Sequence, residues 1–156
     1  SIKATYSNPT GIAPATANVA EDATKGIDSG TGNYQGDLMY AASRTLATGA
    51  TDNIDLSGSL VDPLGSTIAM VEVIAILIVA ANTTTTDLTL GNGTNPFIGP
   101  FGAAAHTVTL KPGASFYIDN PNAGWPVTAA TADILKIVNS AGAAAGYTIK
   151  VLGRSA

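Results

Sequence analysis

The hydrophobic residues of this chain are concentrated in residues 68–81, which read IAMVEVIAILIVAA. The four Ile and three Val of this run favour a strand, because branched side chains pack well on a pleated sheet and lose rotamer freedom in a helix. The run is too short to cross a bilayer of ~30 Å as a helix, and Glu72 argues further against a membrane span. A strand that is apolar on both faces must be covered on both sides or lie in the middle of a packed sheet. We therefore predict the central strand, or two strands joined at a bend, of an all-β core.

Shorter segments of alternating apolar and polar residues surround this run and predict further strands. Turn signals separate them, including Asp62-Pro63-Leu64-Gly65 and Gly91-Asn92-Gly93, whose Asn-Gly pair favours a tight hairpin turn. The alternating segments are residues 38–46, 53–57, 87–90, 106–110, 115–119, 132–139 and 147–152. Roughly seven or eight strands with Gly and Pro turns between them are typical of a β-sandwich or a jelly roll.

Residues 1–36 show no sustained hydrophobic period and contain Pro9, Pro14 and several glycines. They predict an extended N-terminal arm, followed by a single β-sandwich or jelly-roll-like domain over residues 37–156. A short helix is a weaker expectation for residues 13–23. A segment this long and irregular is either a floppy terminus or an arm that lies on an adjacent subunit.

The chain has 156 residues, enough for one domain with its own core. Only 12% of them are charged, against roughly 25% in an average soluble domain. Two interpretations fit: a small-residue β-domain with a Ser, Thr and Asn surface, or a surface that is largely buried in an assembly. The net charge of −4 and the scattered Lys and Arg residues predict no nucleic-acid partner, because phosphate binding needs a clustered basic face.

Processing and redox signals are sparse. No positively charged segment followed by an apolar one opens the chain, so no signal peptide is expected in the residues given, and Ser1 fits either cytoplasmic synthesis or a processed chain. The chain contains no cysteine, which excludes disulfides and thiolate metal sites within it.

The candidates for catalytic chemistry are few. His106 is the single histidine and has no nucleophile or carboxylate in a recognisable motif, so a structural or solvated role is favoured. Gly91-Asn92-Gly93 lies between two predicted strands rather than before a helix, which favours a hairpin over a dinucleotide site. We expect no enzyme and no cofactor.

Two other features allow alternative interpretations. Asp52, Asp55 and Asp62 are close in sequence and carry ligands suited to Ca²⁺, but their spacing matches no EF-hand loop, and Asp55 fits equally as an outward residue of a strand. No metal site is therefore predicted. Trp125, between Gly124 and Pro126, is either a sugar-stacking platform or a plug at the end of a sandwich.

From Leu46 onward the order of these features resembles small virion proteins of tailed bacteriophages, over about two thirds of the chain. The resemblance rests on turns and strands rather than on reactive groups. The segments that carry it are Thr-Gly-Ala, Ile-Asp-Leu, Asp-Pro-Leu-Gly, the long branched strand, Leu-Thr-Leu-Gly, Phe97 with Gly99-Pro100-Phe101, Thr-Val-Thr-Leu-Lys-Pro-Gly, Gly-Trp-Pro-Val-Thr-Ala, Asp-Ile-Leu-Lys-Ile-Val-Asn and the terminal Leu-Gly-Arg-Ser-Ala.

The resemblance implies a non-enzymatic capsid decoration or cement protein that stabilises the phage head lattice. Its implied partners are the major capsid protein or other virion proteins, with no nucleic acid and no membrane. A homo-oligomer, with a trimer favoured, and a location in the phage head after synthesis in the host cytoplasm are also implied. The alternative is a carbohydrate- or receptor-binding β-sandwich on a virion or cell surface. The residues expected at an interface are Ile2, Tyr6, Pro9, Ile12, Tyr34, Phe97, Phe101 and Trp125.

Overall fold

The computed structural model describes residues 2–8, 15–21, 25–58 and 60–156, the first two ranges by their backbone pairing. Every helix or strand element in these residues is a β-strand, which confirms the all-β prediction. In chain order the strands are β1 (Ile2–Asn8), β2 (Ala15–Glu21), β3 (Leu38–Leu46), β4 (Thr51–Asp55), β5 (Leu60–Val61), β6 (Thr67–Ile68), β7 (Glu72–Ala80), β8 (Leu88–Gly91), β9 (Thr107–Leu110), β10 (Ser115–Asp119), β11 (Trp125–Pro126), β12 (Ile134–Asn139) and β13 (Ala145–Arg154).

Two antiparallel sheets form the body of the molecule. The five-stranded sheet has the order β10-β7-β13-β3, with β11 also paired to β7, and the four-stranded sheet has the order β4-β12-β8-β9. Two hairpins complete the described residues, β1 with β2 and β5 with β6. The apolar run at 68–81 therefore contains the last residue of β6 and the whole of β7, and β7 has neighbours on both sides, as its composition predicted.

The core lies between the inner faces of the two sheets, which confirms a β-sandwich. Inward residues alternate with outward ones along each strand, because successive side chains of a strand point to opposite faces. Almost fully buried residues from the five-stranded sheet are Ile76, Ile78, Tyr147, Ile149 and Val151, and those from the four-stranded sheet are Ile54, Leu88, Leu90, Leu135 and Ile137. These residues belong to one contiguous cluster. The jelly-roll connectivity stays a prediction.

One buried amide closes an end of the sandwich. Asn139 Nδ2 donates to the backbone oxygens of Leu46, Ala47 and Ala143, and its Oδ1 accepts a hydrogen bond from the Thr86 hydroxyl at 2.7 Å. Because a buried polar group costs free energy unless it is hydrogen-bonded, this set satisfies the amide completely and fixes the loops that meet there.

The structure corrects the expected helix at residues 13–23. Ala15–Glu21 is strand β2, paired antiparallel with β1 in a register that joins Ala4 to Val19 and Tyr6 to Ala17. Thr16, Asn18 and Val19 are weak helix formers, so pairing with a neighbouring strand overrides the helical potential of the alanines. The extent of the N-terminal arm stays a prediction.

The prediction of a tight hairpin turn at Gly91-Asn92-Gly93 is also wrong. Gly91 and Asn92 do have positive φ angles, of 97° and 54°, as the Asn-Gly signal suggests. However, β8 pairs with β9 across a long loop of residues 92–106. Phe97 explains the length, because its buried ring lies in the core and its amide donates to Ile134 O at 2.9 Å.

Candidate assembly surface

Part of the outer face of the five-stranded sheet is apolar where a solvated sheet face is normally polar, although the row through Val79 also carries Ser43, Thr148 and Ser115. Antiparallel sheets usually alternate apolar residues towards the core and polar residues towards water. In β7, Ile76 and Ile78 face the core, but the alternate positions are Ala75, Leu77 and Val79. The central strand therefore presents apolar residues on both faces, and its outer face lacks a second protein layer within the described residues.

Strand register arranges this outer face in rows that run from β3 across β13 and β7 to β10. One row contains Met39, Leu152, Ala75 and Asp119, and the next contains Ala41, Lys150, Leu77 and Tyr117. Met39 and Tyr117, on opposite edge strands, are 47% and 63% exposed, and a shallow depression lined by side chains of both rows lies between them. We call these two rows the apolar outer face.

The tip of the β5–β6 hairpin extends this surface. Leu64, at the tip, is 91% exposed and lines a second depression together with Met39 and Asp37. The tip is rigidly built, because Asp62 Oδ1 accepts hydrogen bonds from the amides of Leu64 and Ser66 at 2.9 and 2.8 Å. A fixed turn thus holds a large apolar side chain in solvent beside the apolar outer face.

Residues 25–36 cover one end of the face. The chain is fixed at the β10 edge, where Lys25 Nζ lies 2.7 Å from Asp119 Oδ2, and it then crosses towards β3. Hydrogen bonding to this carboxylate raises the pKa of Lys25. Gly36 packs so closely that a Cβ there would lie 2.8 Å from the Ile74 side chain and 3.1 Å from that of Leu152.

Arg154 holds this crossing segment in place. Its guanidinium is buried and donates to Gln35 O at 2.9 Å, to Glu72 Oε2 at 2.7 Å and to Pro121 O. The Tyr34 amide also donates to Pro121 O, at 2.7 Å. A buried arginine needs such partners, since an unpaired buried charge is very costly. The segment is therefore part of the packed structure and leaves the rest of the apolar outer face exposed.

Lys150 is the one cation in the middle of this face. It is exposed and has Ala41 and Leu77 as its neighbours across the adjacent strands. Within the residues that the structure describes, it forms no salt bridge, although four other cations do. An exposed lysine among apolar neighbours offers a charge that a partner of opposite sign can pair with.

The outer face of the four-stranded sheet has a different character. Its residues include Thr51, Asn53, Thr89, Thr107 and Thr109. Its lysine, Lys136, donates to Asn92 O at 3.1 Å. Hydroxyl and amide side chains suit contact with water, so the edge strands β4 and β9 satisfy the usual alternation, while β12 places Ile134 and Val138 on this face.

A polar cluster links the two sheets at one end of the sandwich. Asp52 on β4 accepts hydrogen bonds from the Tyr147 hydroxyl at 2.6 Å and from Arg44 Nη1 at 2.9 Å, and Arg44 Nη2 donates to the Tyr40 hydroxyl at 2.6 Å. Burial and the hydrogen bond to Asp52 raise the pKa of Tyr147 well above its ordinary value. Burial tends to lower the pKa of Arg44, but its hydrogen bond to Tyr40 and the charge of Asp52 raise it overall. The cluster acts as a structural link between the sheets.

The three neighbouring carboxylates do not converge on one point. Asp52 binds Arg44, Asp62 caps its own turn, and Asp55 Oδ1 accepts from the Ser57 amide at 2.9 Å. No group of three or more His, Cys, Asp or Glu side chains suited to a metal ion occurs among the described residues.

The residues expected at an interface are separated in the structure. Phe97 is 1% exposed, Trp125 is half-buried against the core, and Phe101 stacks on Phe116 with ring centroids 6.2 Å apart. Tyr34 is 50% exposed. Ile2 and Tyr6 lie on strand β1, and Pro9 and Ile12 lie outside the described residues. The packing of Trp125 agrees with a plug rather than with an open stacking platform.

Sequence reasoning missed the apolar outer face. Phe116 and Tyr117 are adjacent on β10, and because adjacent residues of a strand face opposite sides, Phe116 packs inward and Tyr117 is exposed. The sequence did contain a signal for this face: Ala75, Leu77 and Val79, which alternate with the core residues of β7, are all apolar. His106, also singled out, is exposed, and its Nδ1 lies 2.8 Å from Phe101 O within its loop.

Comparisons with known proteins give no relatives: no family model, no curated protein and no solved structure matches this chain. Among the described residues, no helix is long and apolar enough to cross a membrane.

Proposed function

We propose that this chain is a non-enzymatic structural subunit that assembles with copies of itself and with other proteins through the apolar outer face. The observation that carries the proposal is the exposure of Met39, Leu64 and Tyr117 around the apolar side chains of β7. Large contiguous apolar patches on a folded domain usually mark interaction surfaces, because leaving them in water is unfavourable.

The composition supports the same proposal. A chain with 12% charged residues has little electrostatic repulsion between copies, which favours close repeated packing. The Thr-rich outer face of the other sheet remains suited to water. One face for contact and one for solvent is the arrangement that a subunit on the outside of a larger particle needs.

The resemblance to small virion proteins of tailed bacteriophages supplies the particular role. We propose a capsid decoration or cement protein, located in the phage head, whose partners are the major capsid protein or other virion proteins. A symmetric homo-oligomer, with a trimer favoured, fits three-fold points of such a lattice. This part of the proposal rests on analogy and not on a contact in the structure.

The carbohydrate-binding alternative needs several exposed aromatic rings near polar groups. Phe97 lies in the core, and Phe101 and Trp125 pack against it. Among the described residues, the exposed rings are Tyr34 and Tyr117, fewer than a sugar-binding surface usually presents, so assembly is the better supported proposal.

The test measures self-association and lattice binding in the same preparation. Light scattering over a hundredfold concentration range gives the mass of the full chain, and cosedimentation with phage heads that lack the protein gives the stoichiometry. We expect a discrete oligomer that saturates the heads. A chain that is monomeric throughout and does not sediment with heads would refute the proposed function.

A further inference from the structure

We propose that the apolar outer face of one copy receives the Leu64 side chain of a second copy, and that the second copy receives the Leu64 side chain of the first in the same way. The two copies are thus related by a two-fold axis that passes beside Met39. Lys150 of each copy then faces Asp37 and Asp62 of the other. This inference rests on the proposed self-assembly and specifies the contact that produces it.

The depression in the apolar outer face is large enough for one aliphatic side chain. Its volume is about 180 Å³. It lies between Met39 and Tyr117 and is lined by Ala75, Leu77 and Leu152. An apolar cavity of about 150 Å³ holds a benzene molecule, so this depression can hold a leucine side chain, which is smaller. Because the depression is open towards solvent, a molecule that packs on the face can supply that side chain.

Leu64 is a side chain that needs such a depression. At 91% exposure it is the most exposed large hydrophobic residue among those that the structure describes. The turn that carries it is fixed by Asp62, and Leu64 lines the depression at the hairpin tip rather than the one in the sheet of its own chain. A leucine held in water by a rigid turn leaves water only when another molecule covers it, and its burial is favourable.

The charges around the two depressions are opposite. Lys150 lines the depression in the apolar outer face, whereas Asp37 and Asp62 line the depression at the hairpin tip beside Leu64. Within the part of the chain that the structure describes, none of these three charged side chains forms a salt bridge. A copy that inserts Leu64 therefore brings two carboxylates towards an unpaired lysine. Such charge complementarity fixes the orientation of two molecules more than it adds affinity.

The positions of the two depressions make the contact reciprocal. Met39 lines both of them, so the protruding Leu64 and the depression that fits it lie side by side on one surface. A surface that carries both halves of a contact is self-complementary under a two-fold rotation. Each pair of copies then forms two equivalent insertions around Met39, whose flexible thioether adapts to irregular gaps. The contact therefore joins copies into a dimer.

Removing the Leu64 side chain tests the insertion. Leu64→Ala should weaken self-association about tenfold by light scattering, because a protruding side chain that fills a pocket dominates the energy of a contact. The free energy of unfolding of the dilute monomer should stay unchanged, since Leu64 is exposed there. Ile98→Ala is the matched control: Ile98 is 42% exposed but lines neither depression, so the mass of the oligomer should stay the same.

A double-mutant cycle tests the facing charges. Lys150→Glu places like charges opposite Asp62 and should weaken self-association about tenfold. Asp62→Asn removes the carboxylate charge but keeps a side-chain oxygen that can accept the hydrogen bonds of the turn. Lys150→Glu should therefore weaken association less in the Asp62→Asn protein than in the wild type. Equal effects in the two backgrounds would overturn the proposed orientation of the copies.

Crosslinking through an introduced cysteine locates the axis. The chain contains no cysteine, so Met39→Cys introduces a single thiol. Sheets that pack face to face lie about 10 Å apart, a distance that a short bismaleimide spans. We expect covalent dimers of the Met39→Cys protein. The control Thr109→Cys places the thiol on the outer face of the four-stranded sheet and should give none.

The remaining outcomes separate this contact from self-assembly in general. An oligomer whose mass is unaffected by Leu64→Ala, one that Met39→Cys does not crosslink, or the trimer favoured by analogy without a dimer would each refute the two-fold contact while leaving self-assembly intact. A chain that is monomeric throughout yet sediments with phage heads would also refute it, because another protein would then cover the face. A chain that is monomeric and does not sediment with heads would instead refute the proposed function itself.

Discussion

The two sheets of this sandwich share one core but have opposite outer faces. On the five-stranded sheet, the row from β3 to β10 through Leu77 reads Ala41, Lys150, Leu77 and Tyr117, whereas on the four-stranded sheet the row from β4 to β9 reads Thr51, Val138, Thr89 and Thr109. Both sheets bury their inner faces equally well. The difference teaches that one sheet exposes large apolar side chains at its edge strands, Met39 and Tyr117, where the other exposes Thr51 and Thr109.

The difference between the two outer faces means that separate sets of residues control the stability of the fold and its assembly. Inward residues of either sheet stabilise the fold of a single chain, because they leave water when the chain folds. Outward residues of the five-stranded sheet gain little until something covers them. Substitutions on the inward side of a strand should therefore lower the free energy of unfolding, whereas substitutions on the outward side of the five-stranded sheet should weaken self-association.

The largest expected effect comes from the inward side of β7. Ile78→Ala removes a fully buried side chain from the core and should cost about 2–5 kcal/mol in the free energy of unfolding. Leu77→Ala, on the half-buried outward side, should cost about 1 kcal/mol or less in dilute monomer. Urea denaturation followed by circular dichroism measures both. Equal costs would show that the outer face is already covered in the monomer.

Charges on the two outer faces provide the second test. Met39→Glu combined with Tyr117→Glu should weaken self-association roughly a hundredfold, since both side chains border the apolar depression. Thr107→Glu combined with Thr109→Glu adds the same charge to the opposite face and should leave the mass unchanged. Light scattering compares the two double variants. If both dissociate the oligomer alike, net charge and not the apolar outer face controls assembly.

Alkaline pH tests the link between the sheets. Burial and the hydrogen bond to Asp52 raise the pKa of Tyr147 above that of a phenol in the unfolded chain, which is about 10. The folded state therefore holds the phenol proton more tightly than the unfolded chain does. The stabilisation is complete below that pH and is lost as the pH rises above it. Tyr147→Phe should cost about 1.5–3 kcal/mol at pH 8 through the lost hydrogen bond, and the difference from wild type should shrink above pH 10.

Urea denaturation at pH 8 and pH 11 checks this, with Tyr117→Phe as the control because Tyr117 is exposed. A difference between wild type and Tyr147→Phe that is the same at both pH values would contradict the role assigned to Tyr147.

The smallest effect should come from making the two outer faces alike. Thr89→Val and Thr109→Val keep side-chain volume but remove hydroxyls from the row that already contains Val138. We expect near-wild-type stability and additional association at the highest concentrations, visible by light scattering. No change in mass would mean that these few residues are too small a patch to drive contact.

The sequence predicted the positions of the strands better than their pairing and the connections between them. The branched run in residues 68–81 predicted the central strand, because β-branched composition has a direct local cause. The strands predicted at residues 87–90 and 106–110 left a loop between them, but the insertion of Phe97 from that loop into the core was not predicted, because it is a long-range contact that local turn chemistry does not encode. Strand β2 was mistaken for a helix because its alanines suit either structure until a pairing partner is known.

The candidate site was harder to predict for the same reason. The apolar outer face joins residues from β3, β7, β10 and β13, and only their register brings Met39, Lys150 and Tyr117 to one side. The low fraction of charged residues and a central strand that is apolar on both faces did indicate that some surface of the domain is buried in a contact. Which surface it is depends on parity within the sheet, as the position of Tyr117 shows.

The oxidation rate of methionine gives the most direct test of the apolar outer face. The chain has two methionines: Met39 on the face is 47% exposed, and Met70 is buried and serves as an internal control. Dilute protein treated with hydrogen peroxide should form the sulfoxide rapidly at Met39 and slowly at Met70, measured by peptide mass spectrometry. The account predicts that Met39 oxidation slows as the protein concentration and the mass of the oligomer rise together. An oligomer in which Met39 oxidises as fast as in the monomer would contradict it.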